Sequence, residues 1–298
     1  LTEVWPVISA ICCCVKGLCS GSSGTFTWLR TAVSQSRCAT LAVESHDMIW
    51  DSPLFGRLTA DRMAVSGEYT AEIYARGGAP KERLVVTGQP SLDRLVEYRR
   101  GAARLPGKAA GADDSLLLVV ITQPPDVALT EETRRDMLAG AFLAAAQIPR
   151  LRVVVKPHPR ESLSDLKLTV ALAGGAPEAV LSKRAELYSL LAACDVVLTA
   201  FSTVGVEALY LGRPVICYKP YDGPAVLPYV DSRAVLCAKS PEEVAARVEE
   251  VADGAVLASL AEGRREYIAR HECAADGGGT RRVVSLLLAM MKEPGGEG

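Results

Sequence analysis

The chain has 298 residues, 49% of them hydrophobic and 23% charged, a balance that fits two ordinary globular domains. A formal net charge of −2 carries no basic field, and no local basic patch stands out, which sets nucleic acid aside as a partner. The apolar stretches are interrupted by charges, as by Asp195 in LLAACDVVLTAF, before any reaches the ~20 residues of a membrane helix.

Residues 1–38 give weak signals. The opening LTEVWPVISAICCCVKGLCS is apolar in part, but Glu3 stands where a signal peptide would be basic, and with no starting Met the segment reads as a truncated or misread end. Of the nine cysteines, Cys12, Cys13 and Cys14 are contiguous and no paired C-x-x-C follows, so no metal is expected. Cys194, Cys217 and Cys237 lie in or beside apolar runs and read as small buried residues of a reducing compartment, which makes the cytoplasm the expected location.

From residue 39 the pattern alternates short apolar runs with helical periodicity. TLAVES, DRMAVSG and RLVVTG read as strands, while GEYTAEIYARGG and SLDRLVEYRRG read as helices. Residues 101–114, GAARLPGKAAGADD, are small and punctuated by Pro and Gly, and mark a linker between a domain at 1–100 and another at 115–298. The second series runs strand SLLLVVITQ, helix TEETRRDMLAGAFLAAAQ, strand LRVVVKPHP, helix ELYSLLAACD, strand DVVLTA, helix STVGVEALYLG and strand RPVICY, with further helices near 240–253, 255–271 and 279–292. Continuous Val/Leu/Ile runs are the habit of strands covered on both faces, so the expected fold is α/β with two Rossmann-like domains, the first of them short.

In open α/β sheets ligands bind outside the carboxyl ends of the strands. Four such ends stand out: Thr122-Gln123, Lys156-Pro157-His158-Pro159, Thr199 to Thr203, and Tyr218-Lys219-Pro220. Two prolines restrict the backbone around His158 and remove two amide donors, so the imidazole is held where it can donate to a phosphate, charged the more readily beside a dianion, with Lys156 adding a second cation. A turn in which His158 makes only a structural hydrogen bond is the competing reading. Ser202 or Thr203 would cap the helix after DVVLTA, Gly205 would let a ligand approach its first turn, and Glu207, one turn on, would receive ribose hydroxyls. Glu44, His46, Asp47 and Asp51 in VESHDMIWD are candidate general bases on a loop after the first strand. His271 reads as a surface residue, with Tyr267 and Ile268 turned inward.

The pair formed by KPHP and DVVLTAFSTVGVEALYLGRPVI resembles the GT-B glycosyltransferase architecture, in the branch of surface-polysaccharide transferases, teichoic acid glycerophosphotransferases and UDP-N-acetylglucosamine 2-epimerases. RLVVTGQP also looks like the end of that architecture's first domain. The resemblance implies nucleotide contacts at His158, Ser202, Thr203 and Glu207, an acceptor and a base from the first domain, and no cofactor beyond a nucleotide-sugar donor of UDP, CMP or CDP type. It implies a carbohydrate or lipid-linked acceptor, and leaves peripheral association with the inner face of the membrane open. Two departures argue against epimerase chemistry: ITQPPDV replaces an arginine-rich stretch, and DSPLFGRLTADR contains no glutamate. The expected function is metal-independent glycosyl transfer. The alternatives are an epimerase-like or CDP-glycerol transferase-like enzyme, and a nucleotide-binding module without catalysis.

Overall fold

A computed structural model describes residues 40–44, 58–101, 115–125, 129–225, 227–272 and 275–292. The first half forms a three-stranded parallel sheet of β1 (Leu41–Val43), β2 (Arg62–Val65) and β3 (Leu84–Val86), in that order. Helix α1 (Glu68–Arg76) connects β2 to β3 and α2 (Leu95–Gly101) follows β3, the grammar of a parallel sheet built from βαβ crossovers. Of the linker read above at 101–114, Gly101 ends α2, and residues 102–114 lie outside the described residues.

The second half is a five-stranded, wholly parallel sheet. Its elements are β4 (Leu116–Ile121), α3 (Glu131–Gln147), β5 (Leu151–Lys156), α4 (Leu163–Leu172), α5 (Leu187–Ala193), β6 (Val196–Thr199), α6 (Val204–Tyr210), β7 (Val215–Tyr218) and β8 (Leu236–Ala238). Three helices close the chain: α7 (Pro241–Glu250), α8 (Gly254–His271) and α9 (Gly279–Met290). The continuous apolar runs are covered on both faces: Val119, Val120, Val197, Leu198, Ile216 and Cys217 are fully buried. Cys194 is buried as well, and Cys237 is partly so. Strand β8 and helix α4 were not legible in the sequence: β8 has only three residues, and α4 is a ten-residue helix started by Ser162, whose hydroxyl accepts from the Asp165 amide.

The strand order is β5-β4-β6-β7-β8. The chain leaves β4, pairs β5 on one side, then crosses back to pair β6 on the other. This reversal makes the carboxyl ends of β4 and β6 a topological switch point, where such sheets open a crevice.

The last two helices tie the two sheets together. Gly67, just before α1, lies so close to the backbone of His271 that any Cβ would run into that peptide group. Asp93 accepts the amides of Gly279 and Thr280 at 2.8 and 2.7 Å, and so caps α9 from nearly 190 residues away in sequence. Arg282 donates from Nε to the carbonyl of Thr87, at the end of β3, at 2.6 Å. His271, expected on the surface, is buried with its ring between Tyr267 and Tyr69, centroids 4.0 and 4.2 Å away. The docking of α8 on α1 supplies that cover, and burial pushes the imidazole down to about 4, so it is neutral at physiological pH. Among the described residues no helix is long and apolar enough to cross a membrane.

Candidate functional site

All five strands of the larger sheet are parallel, so the loops after β4, β5 and β6 share one edge. The loops carrying His158 and Ser202 are not on neighbouring strands, because β4 lies between β5 and β6. Two strand spacings separate them, roughly 10 Å along the edge, a span that suits a diphosphate with its attached groups better than a single phosphoryl group.

Behind β5, Lys156 is not poised as a cation for a ligand. It is 7% exposed, and its ammonium donates to the carbonyl of Lys183 at 3.0 Å, fastening the loop before α5. His158 is half-buried. Its Nδ1 accepts the Arg160 amide at 3.1 Å, which leaves the proton on Nε2. Burial lowers the imidazole pKa, and the charge of Arg160 lowers it further. In the free protein the ring is thus a neutral Nε2–H donor; the charge read from the sequence was that of a ring beside a bound dianion.

Thr122, expected to face the nucleotide, turns instead to the protein: its hydroxyl donates to Glu161 Oε2 at 2.7 Å. Gln123 differs. Its Oε1 is buried and has no hydrogen-bond partner among the described residues. A buried amide oxygen without a donor is costly in water-free surroundings, and is a reason to expect one from a ligand.

After β6, Ser202 is 7% exposed and its Oγ accepts the Val204 amide at 3.3 Å, a loose cap for α6. Thr203 occupies the cap position with helical backbone angles and makes no side-chain cap bond. Gly205 does not open the turn to a ligand. It makes room for the fully buried Tyr229, whose ring would lie 2.6 Å at Cε2 from an added Cβ, and closer still at Cζ and Oη. The Tyr229 hydroxyl donates to the Ser202 carbonyl at 2.8 Å, which fixes the loop from beneath. Gly212 ends α6 with a φ of 78°, the left-handed conformation glycine adopts just past a helix C-terminus.

Glu207 has one oxygen against the Tyr188 hydroxyl at 3.4 Å and the other, Oε2, buried without a partner among the described residues. Burial pushes its carboxyl up to about 7. Tyr188 in turn packs edge-on against Tyr98 of α2, with the Arg94 guanidinium 5.8 Å from its ring centroid, so the first half of the chain borders Glu207. The two open acceptors, Gln123 Oε1 and Glu207 Oε2, thus follow the two strands that flank the switch point. At the end of β7, Lys219 is engaged with Asp231 at 2.7 Å.

Of the proposed bases, His46 and Asp47 lie outside the described residues, as does Asp51. Glu44 is described and is not a free base: it is 7% exposed, and its Oε2 accepts the Ser66 amide at 2.7 Å. It extends the pairing of β1 with β2 by one step, its own amide reaching the Ala64 carbonyl at 3.0 Å.

A family model described as Capsule polysaccharide biosynthesis protein matches residues 126–225, the stretch that holds His158, Ser202, Thr203 and Glu207. No curated protein matches the sequence. Among solved structures, a histidine-to-asparagine variant of the wall teichoic acid polymerase TagF soaked with CDPG is similar at a TM-score of 0.53 and 18% identity, over 80% of this chain and 59% of that one. A Listeria monocytogenes protein assigned as a UDP-N-acetylglucosamine 2-epimerase gives 0.57 at 14%, over 79% and 61%. Another UDP-N-acetylglucosamine 2-epimerase gives 0.54 at 16%, over 79% and 59%. The chain has the GT-B fold. It spans about three fifths of the length of the GT-B structures it matches. The strand edge described above belongs to the larger of the two parallel sheets.

The sequence missed Glu161 and Tyr229, which hold the two loops. Glu161 was visible only as the fifth residue after a strand, and Tyr229 only as an aromatic in an irregular segment; neither spacing carries a signal without its partners.

Proposed function

We propose that the chain handles the donor in a GT-B transferase of surface-polysaccharide synthesis, moving a sugar from a nucleotide-activated donor to a hydroxyl acceptor. The observation that carries this reading is the pair of open acceptors at the switch point, Gln123 Oε1 and Glu207 Oε2, on the same strand edge as the His158 donor. A nucleotide offers what the edge lacks: ribose hydroxyls and base N–H groups to donate, and phosphate oxygens to accept. In this reading Glu207 takes the ribose, and His158 Nε2–H with the Ser202-Thr203 loop meets the phosphates. The family model over 126–225 supports the polysaccharide context.

The transfer is a displacement at the sugar carbon. The acceptor oxygen forms the new bond to that carbon while the bond to the donor phosphate breaks, and the bonding electrons leave with the phosphate oxygen. The acceptor proton passes to a base. Glu44 being committed to the fold, the base is sought among His46, Asp47 and Asp51. A fixed N–H aimed at the leaving oxygen stabilises charge as it develops, without the reorganisation that water would require.

Thermal shift with UDP, CMP and CDP is the test, on the wild type and on His158→Ala. One nucleotide should raise the melting temperature with the logarithm of its concentration. His158→Ala should weaken that nucleotide at least ~10-fold, about 1.4 kcal/mol. No response to any of the three overturns the reading. Nucleotide release that requires an acceptor marks the transferase, whereas reaction of the sugar nucleotide alone marks the epimerase alternative.

A further inference from the structure

The His158 loop is fastened through a carboxylate that the proposed chemistry does not use. Pro157 and Pro159 have no N–H, so His158 supplies the sole amide donor of residues 157–159. Glu161 takes it: Oε2 accepts the His158 amide at 2.6 Å and the Thr122 hydroxyl at 2.7 Å. Oε1 accepts Arg134 Nη1 at 2.8 Å. Glu161 is 3% exposed and Arg134 4%, so this is a buried ion pair. Arg134 is held in turn by Glu131 at 2.8 Å and by the Thr169 hydroxyl at 3.1 Å.

The donors to Glu161 come from three places: the end of β4, the first turn of α3, and the histidine loop itself. The Glu161 amide also returns to the His158 carbonyl at 3.0 Å, closing the turn that carries the Arg160 amide onto Nδ1. One buried carboxylate thus holds the His158 amide, beside the turn in which the Arg160 amide meets Nδ1. Buried polar networks of this kind act as units, and a network with one member removed leaves charges and amides unpaired.

We propose that Glu161 is a positioning residue that presents the His158 Nε2–H at the strand edge, acting together with Arg134 and Thr122. Its bearing on nucleotide rests on the function proposed above; its bearing on the histidine does not.

Two readouts separate these. Imidazole nitrogen shifts of the histidine-labelled free protein report the His158 tautomer, and thermal shift reports nucleotide affinity. The wild type should show Nε2–H alone. Glu161→Ala should give a mixture of tautomers and a loss of nucleotide affinity of at least ~10-fold. Glu161→Gln keeps an oxygen for the His158 amide but loses the charge facing Arg134, and should fall between them. Thr122→Val removes one donor while preserving shape, and should give a smaller tautomer shift and a loss of ~3-fold. Should Glu161→Ala fail to fold, the Gln and Val variants decide the matter. A single Nε2–H tautomer and unchanged affinity in the folded variants overturn the proposal. If the wild type binds no nucleotide, the function proposed above fails, and the tautomer still tests Glu161.

Discussion

The two loops that flank β4 are held by opposite means. The loop after β5 hangs on a buried charge: Glu161 gathers Arg134, Thr122 and the His158 amide. The loop after β6 rests on packing, with the Tyr229 ring filling the space above Gly205 and its hydroxyl reaching the Ser202 carbonyl. A charge network fixes direction, as a ring that must present one nitrogen requires. An aromatic wedge fixes position, as a helix that must place Glu207 at a depth requires. The first device tolerates changes of shape and fails when a charge is lost; the second does the reverse.

Gly205→Ala breaks the second device most severely. In an exposed helix this substitution would stabilise by about 1 kcal/mol. Here the new methyl falls within the ring of a fully buried tyrosine, and overpacking costs up to about 3 kcal/mol. The clash outweighs the propensity, so a net loss of about 2 kcal/mol is expected in urea unfolding. A neutral or stabilising result would show that Tyr229 does not wedge the helix.

Glu207→Gln sharpens the comparison by asking what the packed loop does to a charge. The folded carboxyl stands at about 7, above its ordinary value of 4.5, because burial disfavours the ion. A raised acid stabilises fully below its unfolded pKa, and that contribution disappears as pH rises through the folded value. The wild type should therefore match Glu207→Gln near pH ~5 and become the less stable of the two near pH ~8, by roughly 1 to 2 kcal/mol for a half-buried group. Melting curves across that range check it; a difference independent of pH would sink the assignment. With nucleotide bound the order should reverse at the higher pH, since ribose hydroxyls favour the ionised carboxylate.

What the sequence disclosed and what it withheld follow from the reach of each signal. Runs such as LLLVVI and VVLT announce strands because their periodicity is local, and β4 to β7 lie where those runs predict. His158, Ser202 and Glu207 were legible as strand-end residues for the same reason. Their supports were not, since Arg134 lies 27 residues from Glu161, Thr122 lies 39, and Tyr229 lies 27 from Ser202. The misreadings share that origin. Thr122, Lys156 and Gly205 sit where ligand contacts belong, but each already has a partner supplied from elsewhere in the fold: Glu161, the Lys183 carbonyl and Tyr229. His271 looks exposed in a charged helical stretch until α1 is seen to cover it.

Tyr229→Phe is the gentlest cut, and it separates the ring from its hydroxyl. The ring still fills the space over Gly205, so α6 should keep its place. The bond to the Ser202 carbonyl is lost together with the hydroxyl's contact to the buried Cys217 thiol, and a carbonyl that already accepts the Gly205 amide at 2.9 Å is not orphaned by it. A loss of about 1 kcal/mol is expected, with nucleotide affinity within about threefold of wild type because no charge has moved. A much larger loss of affinity would mean that the hydroxyl, rather than the ring, sets the Ser202 loop, and the contrast between a loop held by packing and one held by charge would then disappear.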